Sequence, residues 1–280
     1  MELGNKIGIV TGASRGIGVV IAERLARKGV DLVLAARSKD DLEQTAELVR
    51  KHGRRALPVA TDVSDVTQLQ ALVDAANTEF GRVDLLVNNA GIEFPGHSES
   101  LDIDQIEAGV HVNLTALIQL TRLVIPQMIE RKSGHVCNIA SVAGKVARPF
   151  ATVYAATKHG VVGFSWSLRA ELASLGVEVS VVCPGYISDV GMFADRTSEL
   201  GVEMPPRTLK AVSSEQVVNE TIKSIERNRA EVIVGPLVMK IADVAHAISP
   251  DFAMGVARRS GSYDYVRREA TGEEWLSFPE

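Results

Sequence analysis

Cysteine and aromatic residues are scarce in this chain of 280 residues, which has two cysteines and an aromatic fraction of 5%. Two cysteines cannot build the disulfide framework of a small secreted domain. Cys137 and Cys183 both lie in apolar runs, which predicts buried free thiols. The histidines are also not spaced along the sequence as the ligands of a metal ion usually are. His97, His111 and His159 are therefore interpreted as ordinary loop or helix residues, and no metal site is predicted.

An excess of charge of one sign is missing as well. The chain has 30 basic and 35 acidic residues and a formal net charge of −5, mixed along its length, so no basic surface for nucleic acid is predicted. No apolar run reaches the length that crosses a bilayer, and the opening MELGNKIGIVTG enters a strand too early for a signal peptide. We expect a cytoplasmic protein without an integral membrane segment, whose partners are small molecules or other subunits.

Short apolar runs alternate regularly with amphipathic segments. The runs are KIGIV at 6–10, DLVLAA at 31–36, RALPVA at 55–60, VDLLVN at 83–88, HVCNIA at 135–140, VEVSVVC at 177–183 and EVIVG at 231–235. Nearly continuous apolar strands separated by helices predict a Rossmann-type α/β domain, with seven strands in a doubly wound parallel sheet and helices on both faces. This single dinucleotide-binding domain is predicted to span 1–235.

Two segments depart from this alternation. The segment 186–212 has little pattern and contains two adjacent prolines, so it is predicted to be a mobile loop or substrate lid. The segment 236–280 is predicted to be a helical extension packed on the same domain. Its first helix places apolar residues on one face, namely Leu237, Ile241, Val244, Ala245 and Ile248. That face is interpreted as docking on the body, on a neighbouring subunit or over the substrate cleft, with a membrane-surface helix as the alternative because two arginines follow.

The first strand runs directly into TGASRGIG, Thr11 to Gly18, and a helix follows. Gly12, Gly16 and Gly18 let the backbone turn tightly and let a pyrophosphate approach the helix N-terminus, where free N–H groups and the helix dipole favour an anion. The alternative is a tight turn that binds no ligand. Its position at the first strand-to-helix crossover favours a dinucleotide cofactor.

The end of the second strand indicates which dinucleotide binds. A fold that holds NAD usually has an acidic residue there for the ribose hydroxyls, whereas this chain has Ala36, Arg37 and Ser38. A guanidinium can bind a 2′-phosphate with two hydrogen bonds, and Arg15 adds a second cation. The prediction is NADP(H) rather than NAD(H), with both arginines as plain surface groups as the alternative. Asp62 is expected to accept from the adenine amino group or to cap the next helix.

Several further motifs follow in order along the chain. They are DV at 62–63, NNAG at 88–91, Asn113 in HVNLTA, Ser141 in NIASVAG, YAATK from Tyr154 to Lys158, and PG at 184–185. Together with TGASRGIG they resemble the short-chain dehydrogenase/reductase family, in its common single-domain NADP-dependent form, from residue 5 to about 235. The resemblance implies a catalytic set of Asn113, Ser141, Tyr154 and Lys158.

The pair Tyr154 and Lys158 also makes chemical sense by itself. Lowering the pKa of a phenol from about 10 to about 7 needs roughly 4 kcal/mol, and a cation about 4 Å away at an effective dielectric near 20 supplies that order of energy. Lys158, one helical turn from Tyr154, is therefore expected to lower the tyrosine pKa. The alternative is that the two are surface neighbours.

The resemblance assigns a role to each member of the catalytic set. It implies Tyr154 as the acid/base, Ser141 as the hydrogen-bond partner of the substrate carbonyl, and Lys158 as the partner of the tyrosine and a ribose ligand. Asn113 would anchor a water relay behind Lys158, with local backbone bridging as its alternative. The nicotinamide carries the hydride.

Cofactor and substrate contacts are expected from residues around these motifs. The cofactor set is Gly12, Ser14, Arg15, Gly16, Ile17, Gly18, Arg37, Ser38, Asp62, Val63, Asn89, Ala90, Gly91, Tyr154, Lys158, Pro184, Gly185 and Ile187. The candidate substrate wall is Phe94, Val142, Lys145, Phe150, Tyr186 and Met192. Met192 and Phe193 are also interpreted as lid packing. Where the family often has a threonine for the nicotinamide carboxamide this chain has Asp189, with Ser188 one residue earlier, so the residue that holds the carboxamide stays open.

The expected function is hydride transfer between NADP(H) and a carbonyl or alcohol, as a ketone reductase or secondary-alcohol dehydrogenase. The substrate is expected to be hydrophobic, such as a ketone, a steroid-like alcohol or an acyl thioester. The alternative is a non-catalytic NADP-binding scaffold or sensor on the same fold. A homodimer or homotetramer is also expected, because 102–131 and 151–174 are apolar-rich and the latter contains Phe164, Trp166 and Leu168.

Overall fold

Seven parallel strands form one sheet in the computed structural model, which describes residues 1–201, 205 and 209–272. The strands are β1 Ile7–Thr11, β2 Asp31–Ala36, β3 Ala56–Ala60, β4 Leu85–Asn88, β5 Gly134–Ile139, β6 Val177–Pro184 and β7 Glu231–Val234. Their spatial order is β3-β2-β1-β4-β5-β6-β7. The predicted α/β Rossmann-type sheet is confirmed, with all seven strands where the apolar runs lie.

The helices follow the strands in the expected alternation. They are α1 Ile17–Arg27, α2 Lys39–Lys51, α3 Val66–Phe80, α4 Ile103–Val110, α5 Ala116–Glu130, α6 Thr152–Leu172, α7 Met192–Leu200, α8 Ser214–Glu226, α9 Leu237–Ile248, α10 Pro250–Arg259 and α11 Ser262–Thr271. Several begin at side-chain caps that satisfy free backbone N–H groups. Ser38 caps α2, Asp65 caps α3 and Ser213 caps α8.

Both faces of the sheet are covered, which explains why the strands are apolar throughout. Alternate residues of β2 point to opposite faces: Leu32 and Leu34 pack with α1, α2 and α8, whereas Val33 and Ala35 pack with α3, α5 and α6. Because side chains alternate between the two faces along a strand, β2 contributes to two separate hydrophobic cores.

The order of strands in the sheet reverses between β1 and β4, which are neighbours although they are not consecutive in the chain. β1 pairs with β2 on one side and with β4 on the other, so the direction in which the sheet grows reverses there. In open parallel sheets ligands bind beyond the carboxyl ends of the strands at such a reversal. The glycine turn after β1 and the segment after β4 meet at this edge.

One helical stretch, Ile103–Glu130, is long and apolar enough to cross a bilayer by length and composition alone, with a mean hydropathy of 1.3. The sequence analysis expected no run of that length. The stretch joins α4, a π-helical turn and α5, and its buried residues include Leu117, Leu120, Val124 and Met128. Packing against the sheet and neighbouring helices therefore accounts for its apolar character.

The predicted lid contains a helix that the sequence pattern did not reveal. Within 186–212, residues 192–200 form α7, and Ile187 pairs with Val212 in an isolated parallel bridge. Residues 202–204 and 206–208, part of the same predicted lid, lie outside the described residues. Gly191, at φ 85°, starts α7 beside the glycine turn after β1.

The C-terminal extension forms three helices, α9, α10 and α11, up to residue 272; residues 273–280 lie outside the described part. Of the placements expected for the apolar face of its first helix, burial on the body is not observed, whereas Ile241 and Ala245 of that face line the large cavity of the protein. Leu237, Ile241, Val244 and Ile248 are 58–80% exposed, and the buried anchor of α9 is Met239 instead, which packs against Gly185 and Gly235. The side of α9 that carries Met239 therefore faces the body, where the two glycines leave room for its side chain.

Candidate active site

The glycine turn after β1 forms one end of a cavity of about 1960 Å³. Gly12 and Gly16 have φ of 64° and 61°, which side chains rarely tolerate. A Cβ at Gly18 would overlap the carbonyl oxygen of Gly12, so Gly18 serves close packing rather than lining the cavity. Gly16 brings no side chain to cap α1, which leaves backbone N–H groups of the first turn for an anion. The turn fits a dinucleotide pyrophosphate.

Asn89, after β4, holds this turn in place. Its side-chain amide donates to the carbonyl oxygens of Thr11 and Gly12 at 2.9 and 3.2 Å. In return the Thr11 hydroxyl accepts from the backbone N–H groups of Asn89 and Ala90, both at 3.0 Å. Neighbouring Asn88 is buried and donates to Thr121 and Asn138 instead. Asn88 at the end of β4 and Asn89 after it therefore have separate structural tasks.

The predicted adenosine end of the cavity is lined by Arg37, Ser38 and Asp62. Asp62 accepts from the backbone and hydroxyl of Ser64 at 2.9 and 2.7 Å, which holds its pKa below the usual range, and the charge of Arg37 adds to this effect. Asp65, not Asp62, caps α3. Asp41, which the sequence analysis did not consider, also lines this end.

Arg15 lies farther along the glycine turn and points to the lid. Its guanidinium is 3.7 Å from the carboxylate of Asp195 on α7, and both side chains are largely exposed. Such an exposed pair contributes little to stability. It nevertheless marks where the lid helix approaches the turn.

Ser141, Tyr154 and Lys158 meet in the middle of the cavity. Ser141 follows β5, and its oxygen accepts from the backbone N–H of Ala143 at 3.1 Å. Tyr154 and Lys158 lie one turn apart on α6, and the Lys158 Nζ is 5.5 Å from the centroid of the tyrosine ring. That Nζ donates to the carbonyl oxygen of Ile139 at 3.0 Å. Three residues from two segments thus share one site.

The pKa of Tyr154 is raised in the structure, whereas its spacing from Lys158 predicted a lowered value. Burial raises it above the ordinary value of a phenol, the Glu93 carboxylate raises it further, and the Ser141 hydrogen bond and the guanidinium groups of Arg148 and Arg196 lower it by less. The expectation of a lowered value set by Lys158 is wrong for this structure, because loss of hydration outweighs the nearby cations. A tyrosine in this state holds its proton at neutral pH.

Asn113 is fixed by backbone contacts. It lies buried in the π-helical turn His111–Thr115. Its carbonyl oxygen accepts from the N–H of Ile92 and its amide donates to the carbonyl of the same residue, both at 2.8 Å. The amide also donates to the Thr157 hydroxyl at 3.2 Å. The local bridging considered as the alternative for this side chain is therefore present, and it ties the segment after β4 to α6.

Four charged residues from distant parts of the chain, Glu269 buried and the other three partly buried, stand beside Tyr154: Glu93, Arg148, Arg196 and Glu269, here called the four-charge cluster. Arg148 is 2.9 Å from Glu269 and 3.3 Å from Glu93. Arg196 is 2.9 Å from Glu93 and 2.5 Å from Glu269. Burial pushes the pKa of Glu93 up, but the two arginines reverse this and hold it below its usual value. The cluster joins the body, the lid helix α7 and the last helix α11.

Aromatic packing surrounds the same cluster. The Tyr186 hydroxyl accepts from Arg148 at 2.8 Å, and its ring lies 4.7 Å from that of Phe193 and 6.0 Å from that of Tyr265, centroid to centroid. Phe193 is 8% exposed, which fits the interpretation as lid packing. The lid and α11 are therefore held by both charge pairs and ring contacts.

The candidate substrate residues divide into two groups. Phe94, Val142, Tyr186 and Met192 line the cavity. Lys145 and Phe150 do not: Lys145 pairs with Glu231 and Asp243 at 3.1 and 3.4 Å under the ring of Trp166. Phe150 has φ of 58° and packs edge-on against the ring of His97. The spacing of these residues in the sequence does not show which side chains of the loop point into the cavity and which point away from it.

Other lining residues were missed or set aside. Asp104, Glu107 and His111 form a polar wall on α4 and the turn after it, and the Nε2 atom of His111 is buried with no hydrogen-bond partner among the described residues. Their helical spacing was visible in the sequence, but nothing local showed that this side of α4 faces a cavity. His97 and His159 line no part of it.

The two candidates for the carboxamide contact are both engaged elsewhere. The Asp189 carboxylate accepts from the backbone N–H and hydroxyl of Ser214, at 2.8 and 2.7 Å, at the start of α8. The Ser188 hydroxyl donates to the carbonyl of Val212 at 3.3 Å. Ile187 does line the cavity. Backbone groups of this segment are the remaining way to hold a carboxamide.

Known proteins resemble this chain over most of its length. The family model described as short chain dehydrogenase matches residues 6–201. The chain belongs to the short-chain dehydrogenase family. The match covers β1 to α7, which includes the glycine turn, Asn113, Ser141, Tyr154 and Lys158, and stops before the C-terminal helices.

Relatives of this short-chain dehydrogenase include several ketoacyl reductases. It is 37% identical over 273 residues to the ketoacyl reductase HetN of Nostoc sp., which covers 96% of this chain and 93% of that protein. It is 35% identical over 212 residues to the 3-oxoacyl-[acyl-carrier-protein] reductase FabG of Vibrio harveyi, covering 76% of this chain and 84% of that one. The structure of an actinorhodin polyketide ketoreductase variant with NADPH superposes with a TM-score of 0.77 at 31% identity, covering 84% of this chain and 97% of that one.

Proposed function

We propose that this short-chain dehydrogenase is an NADP(H)-dependent carbonyl reductase with Tyr154 as its general acid. The observation that carries the proposal is the meeting of Ser141, Tyr154 and Lys158 in one cavity with the glycine turn. Tyr154 holds its proton at neutral pH, as a proton donor in a reduction must. The ketoacyl reductases among its relatives support the same class of reaction.

In this mechanism the side chains of the site would act beside a bound nicotinamide dinucleotide, which would supply the hydride for the carbonyl carbon of the substrate. The Ser141 hydroxyl donates a hydrogen bond to the carbonyl oxygen and orients it toward Tyr154. Tyr154 gives its proton to the same oxygen, so that a carbonyl becomes an alcohol. The Lys158 ammonium stabilises the tyrosinate that remains and binds the ribose, while Asn113 fixes the backbone behind it.

The non-catalytic scaffold remains the second candidate, since this fold also supports plain binding. It predicts NADPH binding without turnover for any ketone. We also propose that the protein is cytoplasmic and forms a homodimer or homotetramer. Trp166 is 47% exposed and Ile118 36% exposed on α6 and α5, which supports a contact between copies; light scattering that gives a monomer mass would contradict it.

We predict that Arg37→Ala weakens NADPH binding by about ten- to a hundredfold and leaves NADH binding unchanged. Arg37 is exposed at the adenosine end of the cavity, and a charge-assisted bond to a 2′-phosphate contributes about 1.5–3 kcal/mol. The measurement is fluorescence titration with each cofactor. Arg122→Ala, an exposed arginine on α5 outside the cavity, is the matched control. Equal dissociation constants of the wild type for NADPH and NADH would contradict the cofactor assignment.

We predict that NADPH affinity falls as pH rises above about 8. Burial lowers the pKa of Lys158 from 10.5 to about 8, while Cys183 and Glu93 face it and act in the opposite direction. The Cys183 thiol itself stays protonated, because burial raises its pKa to about 12. Lys158 therefore loses its charge above pH 8 and with it the proposed ribose contact. Titration across this range tests the prediction, and Lys158→Met should bind NADPH weakly with no such pH dependence.

The lowered pKa of Lys158 also makes the stability of the protein depend on pH, and here the effect of rising pH is favourable. Between about 8 and 10.5 the unfolded chain binds more protons at Lys158 than the folded chain, so this residue makes the free energy of unfolding rise with pH in that window. Denaturant titrations should therefore show that the free energy of unfolding of the wild type rises with pH relative to that of Lys158→Met. A constant difference between the two proteins would contradict the lowered pKa.

A further inference from the structure

The cavity is larger than the range that is usual for a single small-molecule site. Small-molecule sites usually measure about 300–1,000 Å³, whereas this cavity is about 1960 Å³. It begins at the glycine turn, passes Tyr154 and continues along α9, α10 and α11. The part between the last three helices is here called the C-terminal trough, and it has room for a large part of a substrate.

The chemistry of the trough is apolar. Among its lining residues are Val238, Ile241, Ala245, Phe252, Val256 and Val266. No Asp, Glu, Lys or Arg of α9, α10 or α11 lines it, and all residues of these three helices are described. His246, Ser260, Ser262 and Tyr263 are the polar residues that these helices and the turn between α10 and α11 add to the lining, so no permanent countercharge for a phosphate or carboxylate of the substrate lies among them. The lining suits a hydrocarbon chain.

Small residues create the space. Ala242 and Ala245 on α9, and Ala253 and Ala257 on α10, line the trough at helical spacing, so each pair lies on one side of its helix. The lining of α9 from Val238 to His246 extends about 12 Å at 1.5 Å per residue. An extended chain of roughly ten carbon atoms has this length.

The rim of the trough indicates that something covers it. Ile241, Phe252 and Val256 line the trough and are nevertheless 59%, 66% and 49% exposed. Apolar side chains that stay in contact with water at the edge of a cavity gain free energy when an apolar ligand covers them. Continuity with the space around Tyr154 makes the reacting molecule itself the occupant that fits.

We propose that the C-terminal trough binds the long unbranched apolar chain of the carbonyl substrate, so that the enzyme acts on lipid-like ketones of roughly ten carbons or more. The proposal rests on the proposed reductase function. It assigns the exposed side chains of α9 and α10 to substrate recognition, and it explains why the lid and α11 are tied together next to Tyr154. The polar carbonyl end lies at Ser141 and Tyr154 and the chain leaves toward Met239.

The test compares methyl ethyl ketone with methyl decyl ketone. Each buried methylene contributes about 0.8 kcal/mol, or about fourfold, so we expect kcat/KM to be at least about a hundredfold higher for the decyl compound. Ala257→Trp fills the trough and should remove at least about tenfold of this preference for the decyl compound. Ala247→Trp is the matched control, since Ala247 is exposed on α9 and lies outside the trough.

A binding measurement separates this proposal from the reductase proposal. Calorimetric titration of Tyr154→Phe with each ketone measures chain recognition without turnover, and only the decyl ketone should bind tightly. If wild type reduces neither ketone while the variant binds the decyl compound, the reductase function is contradicted and the trough stands. If both ketones react and bind equally, the trough proposal is overturned. Ala253→Phe gives a second blocked variant should Ala257→Trp lose its fold, as judged by circular dichroism.

Discussion

Tyr154→Phe should reduce the turnover of any accepted ketone by at least about a hundredfold, the loss typical for a missing general acid. The substitution removes one hydroxyl and keeps the ring, so the packing of α6 and the cavity should persist. NADPH affinity should change by less than about tenfold, or about 1.4 kcal/mol. Single-turnover oxidation of NADPH, beside a direct cofactor titration, measures both quantities.

Tyr265→Phe is the matched control for this experiment. The Tyr265 hydroxyl is buried without a hydrogen-bond partner among the described residues, and the residue does not line the cavity. Its loss should leave turnover near the wild-type value. A Tyr154→Phe protein with nearly wild-type turnover would show that another group donates the proton. Absence of turnover in the wild type with every ketone would favour the scaffold instead.

Glu269→Ala should lower the free energy of unfolding by about 3 kcal/mol or more. Glu269 is fully buried and pairs with both Arg148 and Arg196. Removing one partner from a buried ionic group leaves uncompensated charge, which typically costs about 3–5 kcal/mol. Because Arg148 and Arg196 lie near Tyr154, KM for the substrate should also rise as the lid and α11 lose their common anchor.

Urea unfolding compares this variant with Arg268→Ala, whose side chain is exposed on the same helix. The control should stay within about 0.5 kcal/mol of the wild type. Glu269→Gln keeps hydrogen-bond acceptance without the charge and should fall between the two. Equal stability of Glu269→Ala and Arg268→Ala would mean that the four-charge cluster does not hold α11 in solution.

The fold and the centre of the site could be predicted because they depend on local pattern. Apolar runs of five to seven residues with helices between them indicate a covered parallel sheet, and the seven strands lie where these runs lie. Tyr154 and Lys158 share one side of α6 because residues four apart in a helix always do. The glycine turn follows from the steric freedom of Gly12 and Gly16.

Other features depend on which distant segments pack together. Glu93, Arg148, Arg196 and Glu269 come from four segments, and no local spacing connects them. Asp189 holds the start of α8 rather than facing the cavity. Lys145 pairs outside the cavity for the same reason. Contacts between remote segments are decided by the packing of whole helices.

By itself, the sequence determined the order of elements and the residues of the glycine turn, because periodicity and spacing act within one or two turns of chain, and the resemblance of its motifs to a known family indicated the rest of the site. Only the tertiary structure decided the electrostatics and the shape of the site. The pKa of Tyr154 rises because burial removes water from the phenol, and burial is a property of the assembled molecule. The trough exists because α9, α10 and α11 leave space beside Tyr154, which no single helix encodes.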